Sequence, residues 1–209
     1  MGAEVTGLDL SPRAIAEARE LAARAGLAAD FVEGDVYAAP GLIGGDFDVV
    51  FASYGAIGWL PDVDRWAAVV AHFLRPGGRL VFAEFHPVPW MLDADFRELT
   101  YAYSSPEPIV ETEGTYADVS AHSASFPTAG SGRAGQAHAP QEMVTWNHGL
   151  GDVIGALLRR GLRLEHFAEH DYSPYAIYGG RGVEVAPGRW MISGLERKLP
   201  LVYALVVTQ

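Results

Sequence analysis

The stretch Glu4 to Val36, EVTGLDLSPRAIAEARELAARAGLAADFVEGDV, decides the fold. Glu4 to Leu10 is a short apolar run of the kind that makes a buried strand. Ser11-Pro12 then opens a helix, because serine is a favoured N-cap and proline is favoured at the first helical position. Ile15, Ala18, Ala22 and Ala25 recur every three or four residues and give the helix one apolar face, and Gly26 supplies its stop. Asp30 to Asp35 is the next strand. One strand–helix–strand unit is thus complete within 36 residues, and this alternation is the signature of a parallel sheet covered by helices.

The alternation continues outward. Tyr37 to Asp46 reads as a Gly/Pro-rich loop and Phe47 to Ser53 (FDVVFAS) as a third strand. Val63, Trp66, Ala67, Val70, Phe73 and Leu74 form a helical stripe. Pro76-Gly77-Gly78 breaks it, and Arg79 to Phe85 (RLVFAEF) reads as a fourth strand. Periodicity fails from His86 to Thr145, and Ser104 to Gln141 is rich in Ser, Gly, Pro and Ala. Such a stretch inside a compact domain is usually a lid or a mobile segment. A short hairpin between Ile109 and Val119 is one expectation for it. Order returns with Asn147 as the cap of a helix carrying Leu150, Val153, Ile154, Leu157 and Leu158, closed by Gly161. Leu162 to His170 is a strand, Tyr172 to Arg189 a loop, and Leu201 to Thr208 a last strand. The resulting organisation is residues 1–85, a sheet-forming first half; 86–145, an insertion suited to capping a substrate; and 146–209, the rest of the same domain.

Composition limits the chemistry. The 209 residues carry 15 basic and 26 acidic side chains, a net charge of −11, which disfavours nucleic acid and anionic membranes as partners. Arg159, Arg160 and Arg163 are the nearest thing to a basic cluster and suit a helix end. There is no cysteine, hence no disulfide, thiolate metal site or thiol nucleophile. The single lysine, Lys198, leaves Schiff-base chemistry almost without a candidate. No apolar run reaches the roughly 20 residues of a membrane helix, and no signal peptide is evident. A cytoplasmic location is the expectation. His166 and His170 have metal-ligand spacing (HFAEH), but on a strand they would stand roughly 13 Å apart, so no metal is expected.

In doubly wound sheets ligands bind beyond the carboxyl ends of the strands. Asp9 ends the first strand, Asp35 the second and Ser53 the third, with Glu84 and His86 around the end of the fourth. A carboxylate at the first position can accept both hydroxyls of a ribose. One at the second can accept an adenine amino group while the following amide, Val36, donates to a ring nitrogen. The pair points to an adenosine site.

Gly2 to Arg19, Phe31 to Val36, Phe47 to Leu60 and Phe73 to Phe85 together resemble the class I S-adenosylmethionine-dependent methyltransferases, in the family's order and spacing. The resemblance covers residues 1–85 well and 146–209 more loosely. It implies a Rossmann-like, mostly parallel doubly wound α/β sheet whose C-terminal strand, Leu201 to Thr208, runs antiparallel. It implies S-adenosylmethionine as cofactor: Asp9 and Leu10 at the ribose, Asp35 and Val36 at the adenine, Ser53 and Tyr54 beside the methionine arm. The methyl acceptor would be a small molecule. His86, Trp146, His148 and Tyr172 are the candidates to line its site, by their places at strand and helix ends.

The family's first strand, its glycine-rich loop and the helix after it have no counterpart before Glu4, so the expectation is an N-terminally truncated domain. Losing the hydrogen bonds of that loop would cost about 3–4 kcal/mol and turn a micromolar site roughly millimolar. It would also leave strand edges unpaired, inviting self-association through them. Two other readings stay open. One is a nicotinamide-dependent oxidoreductase, in which an acidic residue also ends the second strand. The other is a non-catalytic remnant or interaction module that uses the uncovered sheet edge.

Overall fold

A computed structural model describes residues 2–111 and 142–209. Strand β1 (Thr6–Asp9) leads into helix α1 (Pro12–Ala25), and β2 (Asp30–Glu33) pairs with β1 in parallel. The Ser11 side chain accepts from the Ala14 N–H, and Gly26 closes the helix in the left-handed region at φ 65°. Both ends are therefore as the sequence dictates.

After β2 the expected loop is in part helical. Val36–Ala38 form a 3₁₀ turn and Ala39–Leu42 a short helix, α2. Pro40 and Gly41 argued for a loop, but proline is well tolerated in a first helical turn. Strand β3 (Phe47–Ser53) precedes α3 (Val63–Phe73), whose N-cap Asp62 accepts from the Arg65 N–H at 2.9 Å. Strand β4 runs from Leu74 to Phe85, so it begins before the Pro-Gly-Gly segment rather than after it. The segment appears as a register shift against β3 between Phe47 and Val49.

Residues Ile109–Glu111 form β5, which pairs with β6 (Met143–Thr145). The hairpin partner is thus Met143–Thr145. The stretch toward Val119, where the sequence suggested it, lies outside the described residues. Helix α4 (Leu150–Arg159) is capped by Gly149, not Asn147. Strand β7 (Arg163–His170) follows. The loop expected over Tyr172 to Arg189 contains most of a hairpin, β8 (Gly182–Ala186) and β9 (Arg189–Ile192), and β10 (Val202–Thr208) ends the fold.

The main sheet has the order β3-β4-β10-β7. Strands β3 and β4 are parallel, and β10 is antiparallel to both β4 and β7. The antiparallel C-terminal strand is therefore as expected. Strands β1 and β2 make a separate two-stranded sheet. Helices α3 and α4 cover one face of the main sheet. There Trp66, Val70, Val153 and Leu157 pack on Leu80, Phe82, Tyr203, Leu205 and Val207. Full burial of each large apolar side chain contributes about 1.5–3 kcal/mol, so this layer holds the fold together.

Val36 and Tyr37 pack against the same core, which ties the β1–β2 unit to α3. The opposite face is less covered. Phe51 is 67% exposed and Val49 53% exposed on β3, which among the described residues has no strand partner on its outer edge. Among the described residues, no helix is long and apolar enough to cross a membrane.

Candidate functional site

The carboxyl ends of β1 and β2 lie side by side, with Asp9 opposite Glu33 in the parallel register. The Asp9 Oδ1 accepts from the Ser11 N–H at 2.7 Å, and its backbone carbonyl accepts from the Gly34 N–H at 3.0 Å. Asp35 Oδ1 accepts from the Tyr37 N–H at 2.8 Å. Each carboxylate thus uses one oxygen to fix its own turn. Both side chains are exposed, so the second oxygen of each can reach a ligand. Val36 opens the 3₁₀ turn, where a backbone N–H has no intrahelical acceptor. Leu10, 72% exposed, adjoins Asp9 on the surface. This donor and acceptor set fits an adenosine.

Ser53 and Tyr54 end β3 in the main sheet. Tyr54 has a left-handed backbone (φ 39°), unusual for a bulky residue, and its N–H donates to the Ala83 carbonyl at 2.8 Å. Glu84 holds the turn that follows. Its carboxylate is buried and accepts from the Gly55 and Phe85 N–H groups on one oxygen, and from Ala56 (2.8 Å) and Ile57 (3.2 Å) on the other. Burial raises its pKa, against the lowering by these four amides. Glu84 fixes the shape of the loop beside Tyr54. Its signal in the sequence was a lone acid in the apolar strand RLVFAEF, whose partners could not be read.

An aromatic cluster surrounds Tyr54. Its ring is 5.5 Å from Phe85 and 5.3 Å from Tyr175, and Phe85 meets Trp90 at 6.3 Å. Tyr172 carries the Arg189 guanidinium over its face at 4.5 Å and leans on His170. Burial, then the neighbouring Tyr175, Tyr172 and Glu84, raise the Tyr54 pKa. Phe85, Trp90 and Tyr175 were not singled out as site residues in the sequence, because an aromatic side chain there is indistinguishable from ordinary packing.

The candidate acceptor residues separate. His86 is only 3% exposed and both ring nitrogens are engaged: Nδ1 accepts from the Val88 N–H at 3.2 Å, and Nε2 lies 2.9 Å from Glu169 Oε1. Burial lowers its pKa, partly offset by Glu169. The His148 Nε2 donates to the Leu60 carbonyl at 2.7 Å, and the Trp146 N–H to the Gly58 carbonyl at 2.8 Å. The His148 ring and the Trp146 backbone thus pin the loop after β3. Asn147, expected to cap α4, instead donates to the carbonyls of Pro87 (3.1 Å) and Ala102 (3.0 Å). Tyr172 stays near the aromatic cluster.

Comparison with known proteins shows what the chain is similar to. Residues 1–78 match the family model described as a methyltransferase domain. Solved structures of S-adenosylmethionine-dependent methyltransferases align over nearly the whole chain. A putative one from Listeria monocytogenes has 16% identity and TM-score 0.60, covering 99% of this chain and 79% of that one. One from Mesorhizobium loti has 21% identity and TM-score 0.56, covering 99% and 80%. At these identities the likeness shows the fold. The chain thus has the fold of these methyltransferases, and its first 78 residues are similar to a methyltransferase domain.

Among named relatives, it is 40% identical over 88 residues to a demethylmenaquinone methyltransferase from Thermus thermophilus. That match covers 42% of this chain and 39% of the relative. The chain therefore matches about two-fifths of that relative's length.

Proposed function

We propose that the chain binds S-adenosylmethionine across the ends of β1 and β2 and directs its methyl group to a small-molecule acceptor. The observation that carries this is the placement of Asp9 at the end of β1 and of Asp35 two residues beyond the end of its parallel partner β2, both side chains exposed. Asp9 accepts from the ribose hydroxyls, with Leu10 against the sugar. Asp35 and the Val36 amide take the adenine edge. Ser53 and Tyr54 lie beside the methionine arm. The cofactor supplies the sulfonium methyl. The protein's part is to hold acceptor and methyl in line away from water.

Tyr172 contributes to the acceptor wall. His86, Trp146 and His148 support it from behind, through the contacts described above. The acidic balance of the chain favours a small acceptor over nucleic acid, and the reaction is assigned to the cytoplasm. The Thermus relative's name supports a flat, quinol-like acceptor, and the rings of Tyr54, Phe85 and Trp90 are consistent with it. Calorimetric titration with S-adenosylhomocysteine, comparing the wild type with Asp9→Ala, tests the reading. Loss of binding in the variant supports it, and equal binding refutes it.

A second reading has its own observation. Phe51 and Val49 stand exposed on β3, an edge strand among the described residues, the surface a self-associating module would use. Concentration-dependent sedimentation without cofactor binding would favour that reading.

A further inference from the structure

A cavity lies on the outer side of α3, beside the turn that follows β2. It encloses about 370 Å³ and is lined by Tyr37, Pro40, Arg65, Ala68, Val69, His72 and Arg160. That is within the size range of small-ligand pockets. Its polar groups are two guanidinia, an imidazole and a phenol, and no carboxylate lines it. This is unexpected in a chain of net charge −11.

The nearby acids hold other contacts and do not line the cavity. Asp64 is engaged by Arg159 at 2.9 Å, Asp62 caps α3 through the Arg65 N–H, and Asp35 accepts from the Tyr37 N–H. Both guanidinia are held in place without an acidic partner. Arg65 lies flat over the Tyr37 ring, 4.1 Å from its centroid. Arg160 donates to the Asp64 carbonyl at 3.1 Å. Tyr37 is itself fixed, its hydroxyl donating to the Asp62 carbonyl and accepting from the Asp62 N–H, each at 3.0 Å.

We propose that this cavity is a binding site for a phosphoryl-bearing small molecule. Two preoriented guanidinium forks with an imidazole between helix and turn match the several oxygens of a phosphate dianion better than the two of a carboxylate. Pro40, Ala68 and Val69 give the remaining wall an apolar surface, so the ligand is a phosphomonoester on a small apolar body rather than free phosphate. Methyl transfer from a sulfonium consumes no phosphate, so the site is distinct in chemistry from that at Asp9 and Asp35. The two are neighbours through Tyr37, two residues after Asp35.

The test is calorimetric titration of the full chain with phenyl phosphate, inorganic phosphate and benzoate. Phenyl phosphate is expected to bind saturably and more tightly than either of the others. Arg160→Gln, which leaves the Arg65–Tyr37 contact in place, is expected to weaken it by about tenfold, as the loss of one charge-assisted contact. Arg65→Gln should do the same, while Arg13→Gln, remote on α1, should leave it unchanged. The melting temperature of each variant without ligand separates lost binding from lost folding. Absence of saturable binding by about 10 mM, equal binding of benzoate, or binding that survives Arg160→Gln would overturn the assignment.

Discussion

His86 Nε2 lies 2.9 Å from Glu169 Oε1, and this one contact joins the end of β4 to β7 across the intervening β10. The Val88 N–H donates to Nδ1, so the neutral ring carries its proton on Nε2 and gives it to the carboxylate. The ring also meets the buried Tyr203 edge-on at 6.1 Å.

Stability should depend on the protonation of His86. Its pKa is lowered in the folded chain, chiefly by burial. Between that lowered value and the ordinary histidine range near pH 6.5 the unfolded chain binds more protons, so stability rises with pH there. The contribution is complete above about pH 6.5 and is lost as the pH falls through that window. Urea denaturation at a series of pH values should show this slope. His86→Gln should flatten it, and an unchanged slope would contradict the account.

Glu84 is the keystone of the turn after β3. Each of its oxygens accepts from two amides, so an amide NH₂ in place of one oxygen would face N–H donors. Glu84→Gln is expected to destabilise the chain by about 2–3 kcal/mol. The check is the denaturation midpoint at constant slope. An unchanged midpoint would mean the turn holds itself.

Gly78 is required by space rather than by φ. A Cβ there would come 2.8 Å from the Phe47 carbonyl oxygen and 2.9 Å from the Arg75 carbonyl oxygen, both backbone atoms that cannot swing aside. Gly78→Ala should cost about 1–3 kcal/mol. Gly151→Ala, where a Cβ meets nothing within 4 Å, should not destabilise and is the control.

The exposed β3 face has a consequence for solution behaviour. Phe51→Ser removes a ring that is two-thirds in water, so it should change stability little while reducing self-association. Sedimentation velocity over a range of concentrations reads this directly. A variant that associates as strongly as the wild type would place the contact elsewhere.

How far the sequence reached depended on whether partners were local. Alternation from Glu4 to Phe85 located β1, α1, β2, β3 and α3 within a few residues, because each follows from its own periodicity and caps. Asp9 and Asp35 could be placed at or near strand ends because a strand end is a local feature. The pairing of His86 with Glu169 joins residues 83 apart and leaves no trace in either neighbourhood. Asn147 looked like a cap, yet its amide serves two carbonyls from the distant segment before β5. The β8–β9 hairpin had a local signal that was passed over: VEV, then Pro187-Gly188, then RWMI, a turn between two strand-forming runs. The cationic pocket joins Tyr37 of the 3₁₀ turn after β2, Arg65 of α3 and Arg160 just past α4, which only their packing brings together.

The most direct test of the central claim is calorimetric titration of the full chain with S-adenosylhomocysteine, for the wild type and for Asp9→Ala and Asp35→Ala. The account predicts binding by the wild type that each substitution weakens by about tenfold or more, with folding intact by circular dichroism. Binding that is indifferent to both carboxylates, or none by a folded wild type, would contradict an adenosine site at the ends of β1 and β2.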